Sequence, residues 1–215
     1  MKAYSERVSE KNMRLLCDRP LFHWILDTLN ESSVIDEIII NTDSEEIANN
    51  AKKYFNVTIH MRPDYLLNIN SNEAFQIMEY DLKHVEGEYF IQTHSTTPLI
   101  RPITIKKAIE TYFENIKNND SLFSVTPWQK RIYDNKGAGL NHDPAKLIKT
   151  QNLHPVYEEN SCIYIFSRES FLRNKSRLGK TPYMYFMDKY ESVDIDENYE
   201  FILAETIMRK RLEKN

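Results

Sequence analysis

The chain has 215 residues, of which 41% are hydrophobic and 28% charged, and its formal net charge is -4. This length and composition favour one globular domain, and the lack of a basic excess argues against a protein that binds nucleic acid. No apolar run approaches the roughly 18 residues of a membrane span, and no secretory signal pattern is visible. We therefore expect a cytoplasmic protein without a membrane partner, in which Cys17 and Cys162 are reduced and buried.

Apolar spacing predicts that strands and helices alternate over the first 125 residues. Helices are expected over 20–29, 45–55, 72–85 and 103–118, and strands over 34–40, 57–61, 89–92 and 122–125. Asp43, with Glu46 three residues later, is a helix-start signal and suggests a helix cap. Alternation of this kind implies right-handed crossovers, and therefore an α/β fold with a mainly parallel sheet.

The pattern changes after Pro127. Residues 128–160 are polar and contain Gly137, Gly139 and Pro144, which predicts irregular or antiparallel structure. We interpret them as a possible arm or dimerisation subregion within a single domain of residues 1–215. Beyond this region, strands are expected over 162–166 and 191–195, and helices over 168–174 and 199–210.

The first strand of such a sheet is not visible in the sequence. Ligands of open α/β sheets bind beyond the carboxyl ends of the strands, so a phosphate-binding turn should follow an apolar strand. Here the polar turn begins directly after residues 1–3. We expect the first strand to be missing or truncated, with roughly 6–10 residues preceding Met1 in the functional protein. The alternative is that the turn is simply an N-terminal tail.

Two segments carry groups suited to a nucleoside triphosphate. The turn over residues 5–12 supplies the hydroxyl of Ser5, the guanidinium of Arg7 and the ammonium of Lys11. On a strand, the carboxylates of Asp194 and Asp196 would point to the same face. A cationic turn and a carboxylate pair can together hold a triphosphate and its Mg²⁺, so nucleotidyl transfer is the leading hypothesis.

Five segments resemble motifs of one enzyme family. Four of them read NTDSEEIA over 41–48, RPDYL over 62–66, QTHSTTPL over 92–99 and SVDID over 192–196. With the opening turn over 2–12, they resemble the cytidylyltransferases that activate acidic sugars. These are the CMP-sialic acid (acylneuraminate) synthetases and, more distantly, the CMP-KDO synthetases. The opening loop of the CMP-KDO synthetases shares features with residues 7–11 of this chain.

The resemblance implies a three-layer, Rossmann-like nucleotide-diphospho-sugar transferase fold. It implies transfer of CMP from CTP to the anomeric hydroxyl of a sialic- or nonulosonic-type 2-keto sugar acid, with release of pyrophosphate, for surface glycans. It also implies a homodimer. The roles carried over are contacts to the triphosphate by Arg7 and Lys11; nucleotide binding by Lys2, Ser5, Asn12 and Arg62; sugar binding by Gln92, Tyr157 and Glu159; and Mg²⁺ binding by Asp194 and Asp196.

The opening turn departs from the family pattern. Ala3 and Tyr4 stand where the family has glycines, Ser9 where it has proline, and Glu6 where it has lysine. These departures leave open a degenerate, non-catalytic family member that binds nucleotide or a protein partner. A further alternative is nucleotidyl transfer to a neutral sugar phosphate from another triphosphate.

Overall fold

The computed structural model describes residues 1–2, 10–70 and 73–213. Its strands are β1 (Leu15–Leu16), β2 (Arg19–Pro20), β3 (Ile39–Thr42), β4 (Thr58–Met61), β5 (Tyr89–Gln92), β6 (Ser121–Trp128), β7 (Val156–Ser167) and β8 (Pro182–Phe186). Its α-helices are α1 (Leu21–Ser32), α2 (Glu45–Tyr54), α3 (Phe75–Lys83), α4 (Pro102–Asn115), α5 (Arg168–Asn174) and α6 (Asn198–Leu212). None of the helices in these ranges is long and apolar enough to cross a bilayer.

The main sheet has four strands in the order β5-β7-β6-β8. Strand β7 runs antiparallel to both of its neighbours, whereas β6 and β8 are parallel. Three of the four strands therefore point the same way, and β3 and β4 form a separate parallel pair. The predicted α/β class with a mainly parallel sheet is confirmed.

Strand β7 shows how helices cover both faces of this sheet. Ile163 and Ile165 belong to the largest apolar cluster, which also contains residues of α1 and α4. Tyr164 and Phe166 point to the opposite face, where they pack with Phe171 of α5 and with residues of α3. Because successive strand residues alternate between faces, one strand contributes to two cores, and the architecture is helix–sheet–helix.

Local sequence signals explain most helix boundaries. The hydroxyl of Ser44 accepts a hydrogen bond from the backbone of Ile47 and so caps α2, which means that the suggestion of Asp43 as the cap is wrong by one residue. Acidic residues lie in the first turn of α2 and lysines in its last turn, as the helix dipole favours.

Several predicted elements need correction. Residues 191–195 are not a strand, and the strand of this part of the chain is β8. The strand expected over 34–40 begins only at Ile39, and the helix expected over 72–85 is shorter. Strand β7 begins at Val156, so the last residues of the predicted arm pair with β6. Between these strands, residues 129–155 are largely irregular, with one short 3-10 turn.

Within the described ranges, the earliest strand is β1, part of a short hairpin with β2. The pair β3–β4 is not hydrogen-bonded to the four-stranded sheet. Residues 3–9, which carry much of the opening turn, lie outside the described residues.

Candidate active site

The turn over residues 93–98 is the centre of the candidate site. It follows the carboxyl end of β5, the edge at which open α/β sheets bind ligands. The backbone and the hydroxyl of Thr97 both donate to the carbonyl of His94, at 3.2 and 2.8 Å, and Thr97 is fully buried. The turn is therefore a fixed platform, and three further groups are held beside it, two by direct hydrogen bonds and one through Ile195.

The first group is the segment 192–196, which contains both candidate metal ligands. The backbone N–H of Ile195 donates to the carbonyl of Thr96 at 2.9 Å, and the hydroxyl of Thr126 in β6 donates to Ser192 at 3.0 Å. Ile195 is fully buried, whereas Asp194 and Asp196 on either side are partly exposed. The strand predicted over 191–195 is absent from the described structure. The two carboxylates nevertheless flank one buried residue, Ile195, which is hydrogen-bonded to the turn.

The second group is Lys11. Its ammonium donates to the carbonyl of Ile195 at 2.6 Å and lies 3.3 Å from an oxygen of Asp196, and its side chain is only 10% exposed. Lys11 is positioned by a turn in which the N–H groups of Met13 and Arg14 donate to Glu10. The structure thus brings a predicted phosphate-binding cation against a predicted metal ligand.

Asp194 has the environment of a cation ligand. Its Oδ1 is buried and has no hydrogen-bond partner among the described residues. Burial raises the pKa of the Asp194 carboxyl, and the negative charge of Asp196 adds to this, while Thr96 and Lys11 act in the opposite direction. A buried carboxylate oxygen without a donor is costly, and a bound cation would remove that cost.

The third group is Asn12, whose buried amide is fixed from two sides. Its Nδ2 donates to the carbonyl of Lys2 at 2.9 Å, and its Oδ1 accepts from the hydroxyl of Ser95 at 2.6 Å. Lys2 itself is exposed. The Asn12 side chain therefore lies against the 93–98 turn, and its predicted role toward the base stays a prediction.

Arg62 lies at a neighbouring strand end. Its Nε donates to the side chain of Asn41 at 2.8 Å, and Nη2 donates to the carbonyl of Met1 at 3.4 Å. It is anchored at the carboxyl end of β3, because its backbone N–H also donates to Thr42. Of the other predicted nucleotide contacts, Ser5 and Arg7 lie outside the described residues.

A cluster around Arg177 contacts the turn at His94. One Arg177 nitrogen, Nη1, donates to Gln92 at 3.1 Å and lies 3.4 Å from the His94 ring, and Nη2 is 3.6 Å from Glu159. Two predicted sugar-binding residues, Gln92 and Glu159, therefore meet at one guanidinium. Burial, and then the charge of Arg177, lower the pKa of His94 to about 4.

Tyr157, the third predicted sugar-binding residue, does not join this cluster. It pairs with Pro127 in the sheet, and its ring lies 5.5 Å from that of Phe186 on β8. Sequence reasoning also missed Arg177, which follows α5 in a segment without a motif. Only the tertiary structure places Arg177 beside the end of β5.

Helices on both faces of a mainly parallel sheet, with the candidate site at its carboxyl edge, place the chain in the class of open α/β folds. CMP:2-keto-3-deoxy-manno-octonic acid synthetase complexed with CTP superposes with a TM-score of 0.70 over 98% of this chain and 96% of that chain, at 10% identity. The 4-diphosphocytidyl-2C-methyl-D-erythritol synthase of Anaerococcus prevotii gives a TM-score of 0.66 at 15% identity, over 97% and 95%. At these identities, the likeness concerns the fold.

The family follows from the sequence match. A model of the family described as Cytidylyltransferase matches residues 1–213, and the chain belongs to that family. It is 28% identical to post-translational flagellin modification protein B of Campylobacter coli, over 96% of this chain and 92% of that protein. It is 27% identical to CMP-N,N'-diacetyllegionaminic acid synthase of Legionella pneumophila, over 96% and 93%. It matches N-acylneuraminate cytidylyltransferase of Escherichia coli at 26% identity over 96% of this chain, which spans half the length of that protein.

Proposed function

We propose that the chain transfers CMP from CTP to the anomeric hydroxyl of a 2-keto sugar acid of the sialic or nonulosonic type. In this reaction the hydroxyl oxygen forms a bond to the α-phosphorus, the bond from that phosphorus to the bridging oxygen breaks, pyrophosphate leaves, and the hydroxyl proton is lost. The protein's contribution is to position the reactants and to offset negative charge.

One observation carries the proposal. The Lys11 ammonium lies 3.3 Å from Asp196, and both are held beside the 93–98 turn through Ile195. A cation beside carboxylates at the carboxyl edge of the sheet can act on a triphosphate and its counter-ion at the same time. Lys11 is already desolvated, so its interaction with a phosphate oxygen is screened less than that of a surface lysine.

Asp194 and Asp196 are the proposed Mg²⁺ ligands. Among the described residues, no group of three or more His, Cys, Asp or Glu side chains could hold a metal ion, and the proposed site uses two carboxylates together with the substrate phosphates. Mg²⁺ commonly binds one or two carboxylates together with substrate phosphates, and the unpartnered Oδ1 of Asp194 fits that use. When bound, Mg²⁺ supplies positive charge to phosphate oxygens.

The names of the relatives favour an acidic sugar as the acceptor. Two of them are named for N-acylneuraminate and for N,N'-diacetyllegionaminic acid, and a third for modification of flagellin. The cluster of Arg177, Gln92 and Glu159 gives this chain a group of polar side chains beside the turn, which supports an acceptor on that side. We propose that the acceptor binds on that side, with the nucleotide on the side of Lys11 and Asn12.

Pyrophosphate release tests the proposal. The protein is incubated with Mg²⁺, with CTP, UTP, GTP or ATP in turn, and with a panel of 2-keto sugar acids and neutral sugar phosphates. We expect release with CTP and at least one acid. CTP binding in calorimetry without release for any acceptor would instead indicate a degenerate, nucleotide-binding family member. Release only with a neutral sugar phosphate would show that the acceptor class is wrong.

We also propose that the protein is a homodimer. Leu140 and Leu147 in the irregular region are 64% and 97% exposed, and Phe186 on β8 is 55% exposed. An interface between subunits would bury such apolar side chains. Light scattering should give a mass near twice 25.6 kDa, and a mass near 25.6 kDa would contradict the dimer.

A further inference from the structure

We infer that Arg177 recognises the carboxylate of the sugar acid and so determines the specificity of the acceptor site. The inference rests on the proposed function and deepens it. Nothing in the motifs of the sequence singles out this residue, and its assignment comes from what its guanidinium contacts.

The guanidinium of Arg177 is held in a fixed orientation. It lies over the ring of Tyr164, 3.5 Å from the ring centroid, and the Tyr164 side chain is fully buried. Nη1 donates to the Oε1 of Gln92, the residue paired with Tyr164 across β5 and β7. An arginine that is stacked and hydrogen-bonded in this way loses little further conformational entropy when an anion binds.

The same guanidinium retains N–H donors that an anion could use. Its Nη2 is 3.6 Å from Glu159, which is longer than a hydrogen bond, and within the described part of the chain Nε donates to no acceptor. Arginine has five N–H donors in a planar fork that matches the two oxygens of a carboxylate. With the side chain 27% exposed, a ligand carboxylate can reach this fork from solvent.

Glu159 lies near the guanidinium of Arg177 but does not accept a hydrogen bond from it. Its Oε1 accepts a hydrogen bond from the Tyr164 hydroxyl at 2.5 Å, and the same oxygen faces Arg177. The carboxylate is therefore tied to the sheet through Tyr164 and lies 3.6 Å from the guanidinium. Glu159 acts as a positioning residue, and a substrate carboxylate would supply the bidentate partner.

The cluster lies at the right place for an acceptor. His94 contacts Arg177 and lies in the 93–98 turn, whose next residues, Ser95 and Thr96, hold Asn12 and Ile195. Ile195 lies between the two carboxylates, so the Arg177 cluster and the carboxylates adjoin the same short turn. An acid bound at Arg177 would therefore lie beside the turn that holds the proposed site of nucleotidyl transfer.

The test compares an acid with its uncharged analogue. The wild-type protein is assayed for pyrophosphate release with its best 2-keto sugar acid and with the carboxamide of that acid. We expect kcat/KM to favour the acid by roughly 100-fold, as for a charged hydrogen-bonding partner in a partly buried site. In Arg177→Gln the preference should fall to about 5-fold or less, through a raised KM for the acid, while the KM for CTP is unchanged.

Two further variants guard against a folding artefact. Arg177→Lys keeps the positive charge but loses the fork, and should keep about a tenth of the preference for the acid. Arg173→Gln removes an exposed arginine of α5 that pairs with Glu169 one turn away, and should leave the preference as in the wild type. Calorimetric CTP binding by each variant confirms that the nucleotide side is folded.

The outcomes separate this inference from the proposed function. If the wild type releases pyrophosphate with an acid, and both Arg177 variants keep the full preference for the acid, the inference is wrong and the proposed function stands. If the wild type uses no acid at all, the proposed function fails, and the inference fails with it. A loss of preference in both Arg177 variants, with Arg173→Gln unchanged, supports the inference.

Discussion

Lys11 and Asp196 are 185 residues apart in the chain, yet the Lys11 ammonium lies 3.3 Å from the Asp196 carboxylate. The same ammonium donates to the carbonyl of Ile195, which hydrogen-bonds through its own N–H to the 93–98 turn. The N-terminal turn and the C-terminal carboxylates are thus held to one point of the sheet edge. Such a charge pair gives a triphosphate and its counter-ion opposite charges to bind.

Replacing Lys11 by methionine should remove most activity. The variant keeps the length of the side chain but loses the ammonium, so we expect kcat/KM to fall about 100-fold or more. Because the carbonyl of Ile195 loses a buried donor, the free energy of unfolding should also fall by about 1–3 kcal/mol. Pyrophosphate release and urea denaturation measure the two effects.

Lys83→Met is the matched control for this variant. Lys83 is 66% exposed and pairs with Glu79 across one turn of α3, at 3.7 Å. Its removal should change both quantities little. Equal activity losses in the two variants would show that the Lys11 effect is not specific to the candidate site.

The helices and β5 could be predicted from the sequence, because their signals are local. The apolar spacing of α1, the polar cap of α2 and the short apolar run of β5 are each read within a dozen residues. The candidate carboxylates could be named for the same reason, since Asp194 and Asp196 belong to a contiguous motif.

The rest depends on contacts between distant parts of the chain. Strand β8 pairs with β6, about 60 residues earlier, and its proline and aromatics have no clear alternation. Residues 191–195 alternate like a strand, but the backbone of Ile195 donates to a turn, and Ser192 contacts β6 through its side chain and not through a strand ladder. Arg177 has no motif at all, and only the pairing of β5 with β7 brings Gln92 and Tyr164 beneath it.

Replacing Asp194 by asparagine should leave the stability of the protein unchanged or raise it, while lowering its activity. Burial raises the pKa of this carboxyl in the folded protein, so its ionised form disfavours folding. The stability of the wild type should therefore fall as the pH rises from the unfolded pKa of 3.8 to the higher folded pKa, and the variant should not show this loss. In EDTA at pH 7, thermal denaturation should give a Tm for Asp194→Asn at or above that of the wild type.

The same variant should lose about 100-fold or more in pyrophosphate release with Mg²⁺. Adding Mg²⁺ and CTP should raise the Tm of the wild type by more than that of the variant, because a ligand stabilises only the state that binds it. Full activity in Asp194→Asn would remove this residue as a metal ligand.

Glu191 should be important for stability. Its buried carboxylate accepts hydrogen bonds from the backbone of Arg101 at 3.0 Å and from the hydroxyl of Thr104 at 2.6 Å, at the start of α4, and it also pairs with the Arg101 side chain. Glu191→Ala leaves these donors unpaired, so we expect unfolding to become easier by about 3 kcal/mol, or a Tm lower by roughly 6–12 °C. Glu31→Ala, at an exposed position of α1, should change stability by less than about 0.5 kcal/mol.

His94 should remain neutral throughout the physiological pH range. Burial, followed by the charge of Arg177, lowers its pKa to about 4, while Asp196 acts in the opposite direction. Because the unfolded pKa is 6.5, the folded protein resists protonation, and stability should be lost as the pH falls from 6.5 towards 4.

Long-range proton–nitrogen NMR of the imidazoles should show no titration of His94 between pH 5.5 and 8. In Arg177→Gln the midpoint should move upward, because one repulsive charge is gone. A wild-type midpoint near 6.5 would mean that the His94 ring is solvated, and so that the Arg177 cluster is not packed against the turn as described.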